Sequence, residues 1–436
     1  MGSDKMMERF SVGDKIRLKT VSGIQKEGTV MPSDEEDEKI VLKLENGYNI
    51  GFSLESIEDI NLIEEKTDEE KDRTVEEPDT DEDLKDVLVL HTGGTIASRV
   101  SYEEGGVKPG FSVEDLREMY PEIFETANIS SEIISQMFSE DMEPGHWQEI
   151  ARKVYEKIED FDGVVVSHGT DTMQFTASAL SFMLRGVRKP VVFVGSQRSS
   201  DRPSSDSALN LKAAIKFIES QTPGVYVCMH KSSDDEKASV HRGTRVRKMH
   251  TSRRDAFESI REKPLAIVDL ERDEVDLRED VEVEKEEMEL MDRIEENVGF
   301  LKSVPGMEED CLDRFSDREG LVIEGTGLGH LPVNSFDSRT EHHEKILESL
   351  EDLCEDTLVC MTSQCINGKV NLDVYDSGVK IKDAGVVSAE SMLPGTAYVK
   401  LMWSLGNSDS IEGAKKLFKQ NIAGEFVERE EYDVFK

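Results

Sequence analysis

Positive charge is in short supply in this chain: 53 Lys and Arg stand against 93 Asp and Glu, a formal net charge of −40 at pH 7. A surface so acidic repels a phosphate backbone, which excludes broad gripping of nucleic acid and leaves most phosphate contacts to a partner. An acidic surface is also what keeps a protein soluble in a salt-rich cytosol, and the sequence is compatible with either origin. Cysteine is sparse and odd in number: Cys228, Cys311, Cys354, Cys360 and Cys365 show no metal-type spacing and cannot complete a disulfide framework. Cys228 and Cys360 lie inside apolar runs and read as core fillers. Long apolar stretches are missing, so nothing reaches bilayer-spanning length, and no signal-type apolar segment follows Met1. The expectation is a soluble, cytoplasmic protein that touches no membrane.

A length of 436 residues suggests about three domains. Residues 1–65 read as a small β module. Ile16–Val21 alternates, Gly28–Met31 follows a turn, and Ile40–Leu44 leads through Glu45-Asn46-Gly47 into Tyr48–Phe52. Asn-Gly between alternating apolar runs is a hairpin signal, and several short strands in so few residues suggest an SH3-like barrel. Residues 66–85 read as an acidic linker, almost without apolar side chains and interrupted by Pro78. Residues 86–280 form a larger α/β domain whose last strand is expected at Pro264–Leu270. Residues 282–296 are charge-rich, with Leu290, Met291, Ile294 and Val298 on one helical face. Residues 297–436 form a smaller α/β domain, with strand-like runs at Gly320–Glu324 and Leu358–Met361 and a hairpin signal at Asn367-Gly368.

Three segments carry chemistry. The apolar run Val87–Leu90 leads into His91-Thr92-Gly93-Gly94-Thr95-Ile96-Ala97-Ser98. Adjacent glycines at a strand end let the backbone turn sharply beside a ligand, with the Thr95 hydroxyl behind them as a nucleophile. A phosphate cradle or a plain turn fits the same residues. The run Gly163–Ser167 leads into His168-Gly169-Thr170-Asp171-Thr172, followed by Phe175, Ala179, Phe182 and Met183 at helical spacing. Loops at the carboxyl ends of strands in an open α/β sheet converge on one crevice; alternatively Thr170 and Asp171 merely cap the helix. The third segment, His241 to Arg254, holds six Lys or Arg and no acid, so Lys248 is expected to sit among like charges. A solvated basic loop and a small nucleic-acid contact are the alternatives there.

Together, Thr-Gly-Gly-Thr-Ile-Ala (92–97), His-Gly-Thr-Asp-Thr-Met (168–173) and Lys248 resemble the L-asparaginase/glutaminase family of threonine amidohydrolases. Ser139-Glu140-Asp141-Met142, Val194–Arg198 and Ile323–Gly327 resemble further stretches of that family. The resemblance implies a two-domain asparaginase-like body in which Thr95 attacks the side-chain amide. It implies also that Thr170, Asp171 and Lys248 move protons, and that Ser139, Glu140 and Asp171 hold the α-amino and α-carboxylate groups of glutamine or asparagine. Tyr102 is the candidate lid tyrosine, out of clear register, and Glu140 stands where many relatives carry glutamine. His330 is expected to shape a loop at the domain interface, and His342-His343 to lie at the surface.

A β module in front of such a body resembles the D subunits of archaeal glutamyl-tRNA(Gln) amidotransferases. That resemblance implies a partner of the GatE kind that binds tRNA(Gln), with ATP and Mg at the partner and no cofactor or metal in this chain. It also implies a homodimer through the body within a heterotetramer. A stand-alone asparaginase or glutaminase, and an inactive amino-acid-binding scaffold, are the competing functions.

Overall fold

The computed structural model describes residues 11, 14–31, 39–44, 49–64, 81–94, 98–100, 107–109, 113–199, 204–278, 287–430 and 434. The linker residues 66–80, the turn at Glu45-Asn46-Gly47, Thr95 and Tyr102 lie outside them.

Five antiparallel strands make the N-terminal sheet: β1 (Lys15–Thr20), β2 (Gln25–Met31), β3 (Lys39–Lys43), β4 (Asn49–Ser53) and β5 (Ile57–Glu64), in the order β4-β3-β2-β1-β5. Lys43 pairs with Asn49, so β3 and β4 are antiparallel neighbours on either side of the Asn-Gly signal. Alternation places Ile16, Leu18, Val30, Ile40, Leu42, Ile57 and Ile60 in one small core.

The larger domain is built on an eight-stranded sheet. Its strands are β6 (Lys85–Gly93), β9 (Ala127–Met137), β10 (Gly163–Ser167), β12 (Pro190–Val194), β13 (Gly224–His230), β14 (Lys237–Arg242), β17 (Ala266–Asp269) and β18 (Glu274–Leu277). They lie in the order β18-β17-β14-β13-β12-β10-β6-β9. Contacts from β9 through β13 are parallel, and the remaining three are antiparallel. Helices α1 (Val113–Met119), α2 (Pro144–Lys157), α3 (Met173–Met183) and α4 (Ser207–Ile218) connect the parallel strands. Both faces are therefore covered, and β10 and β12 are buried at every position, which is why they read as unbroken valine-rich runs. Val87, Val89, Val165 and Val192 face one side, with α4. Leu88, Leu90, Val164 and Val166 face the other, with α3. One strand more than expected ends the sheet: β18 hairpins back onto β17.

The connection from β6 runs outward to β9, whereas the connection from β10 runs the opposite way to β12. The order of strands reverses between β6 and β10, and the carboxyl ends of those two neighbours form the crevice where ligands bind in such sheets. Short pairs surround this framework: β7 (Ser98–Val100) with β8 (Val107–Pro109), β11 (Leu184–Arg185) with β19 (Glu289–Leu290), and β15 (Val246–Lys248) with β16 (Phe257–Ser259).

The smaller domain has a four-stranded parallel sheet, β20 (Val298–Lys302), β21 (Gly320–Gly325), β22 (Leu358–Ser363) and β23 (Val387–Ser388), in chain order. Helices α5 (His343–Asp356), α6 (Asp376–Asp383), α7 (Pro394–Gly406) and α8 (Ile411–Lys419) accompany it. Asn367-Gly368 makes no hairpin; Gly368 has a φ of +82°, and no paired strands flank it.

The stripe at 282–296 is not a helix where it is described. Leu290 pairs with Leu184, the Met291 amide donates to Met183 O, and Glu295 N donates to Met402 O. Trp403 Nε1 donates to Met291 O at 2.7 Å. The segment is an extended strap, with Leu290, Met291 and Ile294 packed on the main core. Its apolar residues serve α3 and α7 rather than a face of their own. Two arginines of the larger domain reach across the seam: Arg245 donates to the Ser391 and Glu425 carbonyls, and Arg261 to those of Ile366, Cys365 and Ser391.

Candidate active site

The crevice between β6 and β10 brings the two threonine-bearing loops together. Ser167 is in register with His91, and Thr92 Oγ1 donates to Ser167 O at 3.0 Å. The turn that follows is so tight that a Cβ on Gly94, whose φ is +84°, would lie 2.7 Å from Gly169 N. Only glycine permits that approach of one backbone to another. Gly94 thus touches the residue before Thr170 and immediately precedes Thr95, which is itself outside the described residues. A third loop closes on the same point: a Cβ on Gly169 would lie 2.7 Å from Ser139 Cβ and 2.9 Å from its hydroxyl.

Thr170 does not cap α3. The N-cap is Thr172, without a side-chain cap bond; its hydroxyl donates instead to Ser139 O at 2.6 Å. The Thr170 hydroxyl accepts from Lys248 Nζ at 2.9 Å, and Lys248 Nζ also lies 2.7 Å from Asp171 Oδ1. Thr170 is buried, the lysine side chain is 10 % exposed and that of Asp171 is 65 % exposed. The triad therefore spans from a closed interior to an open mouth. The position of Lys248 is itself held: its backbone amide donates to Gln174 Oε1 at 3.0 Å, joining β15 to the first turn of α3.

Three of the cations expected around Lys248 are engaged elsewhere. Arg245 points into the domain seam, Arg253 pairs with Asp255 at 2.5 Å, and Arg254 pairs with Asp235. The nearest charge to the amine is the carboxylate of Asp171. His241 in the same run is fully buried, with Nδ1 2.8 Å from Ser259 Oγ; burial pushes its pKa down to about 3.

Ser139 is buried in the 3₁₀ turn Ser139–Asp141 and accepts from Asp171 N at 3.3 Å. Glu140 is exposed beside it, and its carboxylate makes no hydrogen bond or ion pair with a described residue. The open carboxylates of Asp171 and Glu140 flank the buried hydroxyl, which suits a substrate carrying an ammonium group next to its reacting amide. His168 underlies the loop. Its Nδ1 donates to Gly169 O at 2.7 Å and its Nε2 lies 2.9 Å from Thr176 Oγ1. Complete burial lowers its pKa to about 4, so the ring is neutral and fixed in one tautomer. Gln174 and His168 are the contributors that sequence reasoning missed. His168 stands inside the motif; nothing marks Gln174 in the sequence, because its bond bridges 74 residues.

His330 bridges back to Thr326 and packs edge-on against Tyr375, 5.5 Å between ring centroids. His342 and His343 meet edge to face at the start of α5 and engage the carbonyls of Met307 and Asn334. All five cysteines are free. Among the described residues no group of three or more His, Cys, Asp or Glu is placed to hold a metal ion, and no helix is long and apolar enough to cross a membrane.

Comparison with known proteins matches three segments of the chain. Residues 10–63 match the GatD N-terminal domain, 86–282 the N-terminal asparaginase domain and 297–418 the glutaminase/asparaginase C-terminal domain. The D subunit of the Pyrococcus furiosus glutamyl-tRNA(Gln) amidotransferase is 46 % identical over 427 residues, covering 96 % of this chain and 95 % of the relative. Its counterpart in Methanothermobacter thermautotrophicus is 43 % identical over 441 residues, covering 99 % and 98 %. Among solved structures, the thermostable L-asparaginase of Thermococcus kodakarensis superposes with a TM-score of 0.71 at 34 % identity, covering 78 % of this chain and 99 % of that one. L-asparaginase I of Vibrio cholerae gives 0.67 at 28 %, covering 79 % and 99 %. A crevice of threonine loops in an asparaginase body, carried behind a module that matches the GatD N-terminal domain, places this chain in the family of glutamyl-tRNA(Gln) amidotransferase D subunits.

Proposed function

We propose that the chain is the amidohydrolase component of a tRNA-dependent amidotransferase, hydrolysing glutamine or asparagine through a threonine acyl-enzyme and releasing ammonia for a partner. The observation that carries this reading is the 2.9 Å bond from Lys248 Nζ to Thr170 Oγ1 within the β6–β10 crevice. A hydroxyl bonded to an amine, beside a second threonine loop, is the arrangement a nucleophile and its proton relay need.

In the proposed sequence, the Thr95 hydroxyl oxygen attacks the side-chain amide carbon and its proton enters the Thr170–Lys248 pair. The carbon–nitrogen bond breaks, the departing nitrogen takes a proton from that pair, and ammonia leaves a Thr95 ester. Water then attacks the ester carbon, losing a proton to the same pair, and the Thr95 oxygen leaves with a proton returned. Asp171 holds the Lys248 amine at 2.7 Å and, with Ser139 and Glu140, receives the α-amino and α-carboxylate groups.

The partner, of the GatE kind, binds tRNA(Gln), activates Glu-tRNA(Gln) with ATP and Mg, and accepts the ammonia. The acidity of this chain fits a division in which the partner holds the tRNA. Two copies of this chain pair through the asparaginase-like body in a cytoplasmic heterotetramer. The second reading is a free asparaginase or glutaminase, favoured by the two superposed asparaginases; the module at 10–63 stands against it. An ammonia assay of the purified chain, repeated with the partner and Glu-tRNA(Gln), separates the two. Strong stimulation by charged tRNA supports the amidotransferase, and full activity of the chain alone supports the free enzyme.

A further inference from the structure

Asp206 is a carboxylate diverted from its usual work. It stands at the N-cap of α4, yet its side chain makes no capping bond to that helix, where an aspartate ordinarily accepts from the first amides. It is 0 % exposed, and a carboxylate so buried is costly unless hydrogen bonds satisfy it. They come from the loop after β12. Ser196 Oγ lies 2.9 Å from Oδ1, and the Gln197 and Arg198 amides each donate to Oδ1 at 3.0 Å. Asn210 Nδ2 adds a bond of 3.2 Å to Oδ2.

Asn210, also 0 % exposed, carries the restraint one step further, because the same Nδ2 donates to Gly195 O at 2.9 Å. With its nitrogen turned to two acceptors, the amide presents Oδ1 to His230 Nδ1 at 2.7 Å. The ring therefore donates, and the amide has one orientation. Asp206 and Asn210 thus grip the loop by two of its amides and one of its carbonyls.

What they hold is a seat for Thr170. A Cβ on Gly195 would lie 2.8 Å from Thr170 Cγ2 and 2.8 Å from His168 O, so the threonine methyl packs where any larger residue would place its side chain. Methyl and hydroxyl share one carbon, and a β-branched side chain is stiff about χ1. With Cγ2 seated on Gly195, Oγ1 is the atom that meets Lys248 Nζ at 2.9 Å. None of the hydrogen bonds of Asp206 reaches Thr170, Asp171 or Lys248.

We infer that Asp206, acting through Asn210 and Gly195, is a positioning residue that locks the Thr170 side chain in the rotamer whose hydroxyl faces Lys248. The inference rests on the catalytic reading of the Thr170–Lys248 pair and names what orients it. The methyl of Thr170 then has a purpose of its own: serine would keep the hydroxyl and lose the seat, leaving three staggered wells open.

The test is steady-state ammonia release from glutamine by the full chain with its partner and Glu-tRNA(Gln). Thr170→Ser is expected to lower kcat about three- to tenfold, as the hydroxyl spreads over the three wells. Asp206→Asn puts an amide nitrogen among these donors. It is expected to lower kcat roughly tenfold with KM within about twofold, since misplacement rather than binding is at fault. In the Thr170→Ser background, Asp206→Asn is expected to add less than about twofold, because the methyl it steadies is gone. A purely structural role would instead multiply the two losses. Should Asp206→Asn not fold, Asn210→Ala, which removes the bond to Gly195 O, takes its place in the same cycle. Parental kcat in Thr170→Ser, multiplied losses in the double variant, or a change in KM in place of kcat would overturn the inference. Parental turnover by Lys248→Met would instead overturn the catalytic reading on which it rests.

Discussion

Lys248 and Thr170 are 78 residues apart in the chain, and their amine and hydroxyl meet at 2.9 Å. The meeting is produced by two independent pieces of backbone. The strand reversal at β6–β10 delivers Thr170 to the crevice, and the β15–β16 ribbon, tied to α3 through Gln174, delivers the lysine.

Thr170→Val and Lys248→Met each remove one half of that contact while keeping side-chain bulk. Loss of a positioned proton-transfer group costs roughly 10²–10⁴-fold in rate. Ammonia release from glutamine is expected to fall by that much in either variant, with the thermal unfolding midpoint nearly unchanged. The double variant should be little worse than either single one, because the two act as a unit. Turnover within a few-fold of the parent would contradict the assignment.

Gly94→Ala tests the closeness of the loops. Its Cβ would meet Gly169 N at 2.7 Å, a backbone atom that cannot swing aside, and the φ of +84° is strained for any other residue. A destabilisation of about 1–3 kcal/mol is expected from the strained backbone, measured by denaturant unfolding, together with a large loss of activity. Gly145→Ala, where a Cβ meets nothing within 4 Å, is the control and should leave activity intact.

Acid sensitivity follows from His168 and His241. Burial lowers their pKa values from 6.5 to about 4 and about 3. Because the folded values lie below the unfolded ones, the unfolded chain takes up protons first as pH falls. The stability these residues contribute is thus complete above about 6.5 and is lost progressively as pH drops toward 4. Unfolding midpoints in denaturant should fall between pH 7 and pH 5, and His168→Gln should flatten that dependence. A pH-independent midpoint over this range would contradict the burial of both rings.

Lys400 and Glu425 form an ion pair with both side chains at 0 % exposure, and Glu425 also accepts from the amides of Ile422 and Ala423. Lys400→Met leaves that carboxylate without its cation and is expected to destabilise the protein by about 3–5 kcal/mol. Lys400→Met with Glu425→Gln should regain much of the loss. Equal destabilisation by the single and double variants would show that the amine contributes packing alone.

Deletion of residues 1–65 is expected to weaken tRNA-coupled amidation more than glutamine hydrolysis, since the module lies outside the asparaginase-like body and matches the GatD N-terminal domain. Steady-state rates of the two reactions, measured with the partner present, decide the matter; equal effects would remove the assembly role.

Much of this architecture is legible in the sequence because it is written in local pattern. The valine-rich run Gly163–Ser167 marks β10, Asn46-Gly47 marks the β3–β4 hairpin, and the spacing of Phe175, Ala179, Phe182 and Met183 marks α3. What fails is inference about neighbours in space from neighbours in sequence. Lys248 reads as one cation among many because its chain neighbours are cations, yet its partner Asp171 comes from 77 residues away. The stripe at Leu290, Met291 and Ile294 reads as helical because an extended strap draped over α3 and α7 buries the same residues that a helix would. Gln174 carries no signal, as a single amide accepting one backbone bond leaves no pattern behind it.

The claim on which the account rests is that the loops of Thr95 and Thr170 serve one amide carbon, with Thr95 as the attacking group. It is tested most directly by acid-quenching the Lys248→Met variant during turnover of glutamine and locating the bound acyl group by peptide mass spectrometry. The account predicts a glutamyl ester on Thr95 and none on Thr170. An ester on Thr170, or full ammonia release by a Thr95→Val variant, would contradict it.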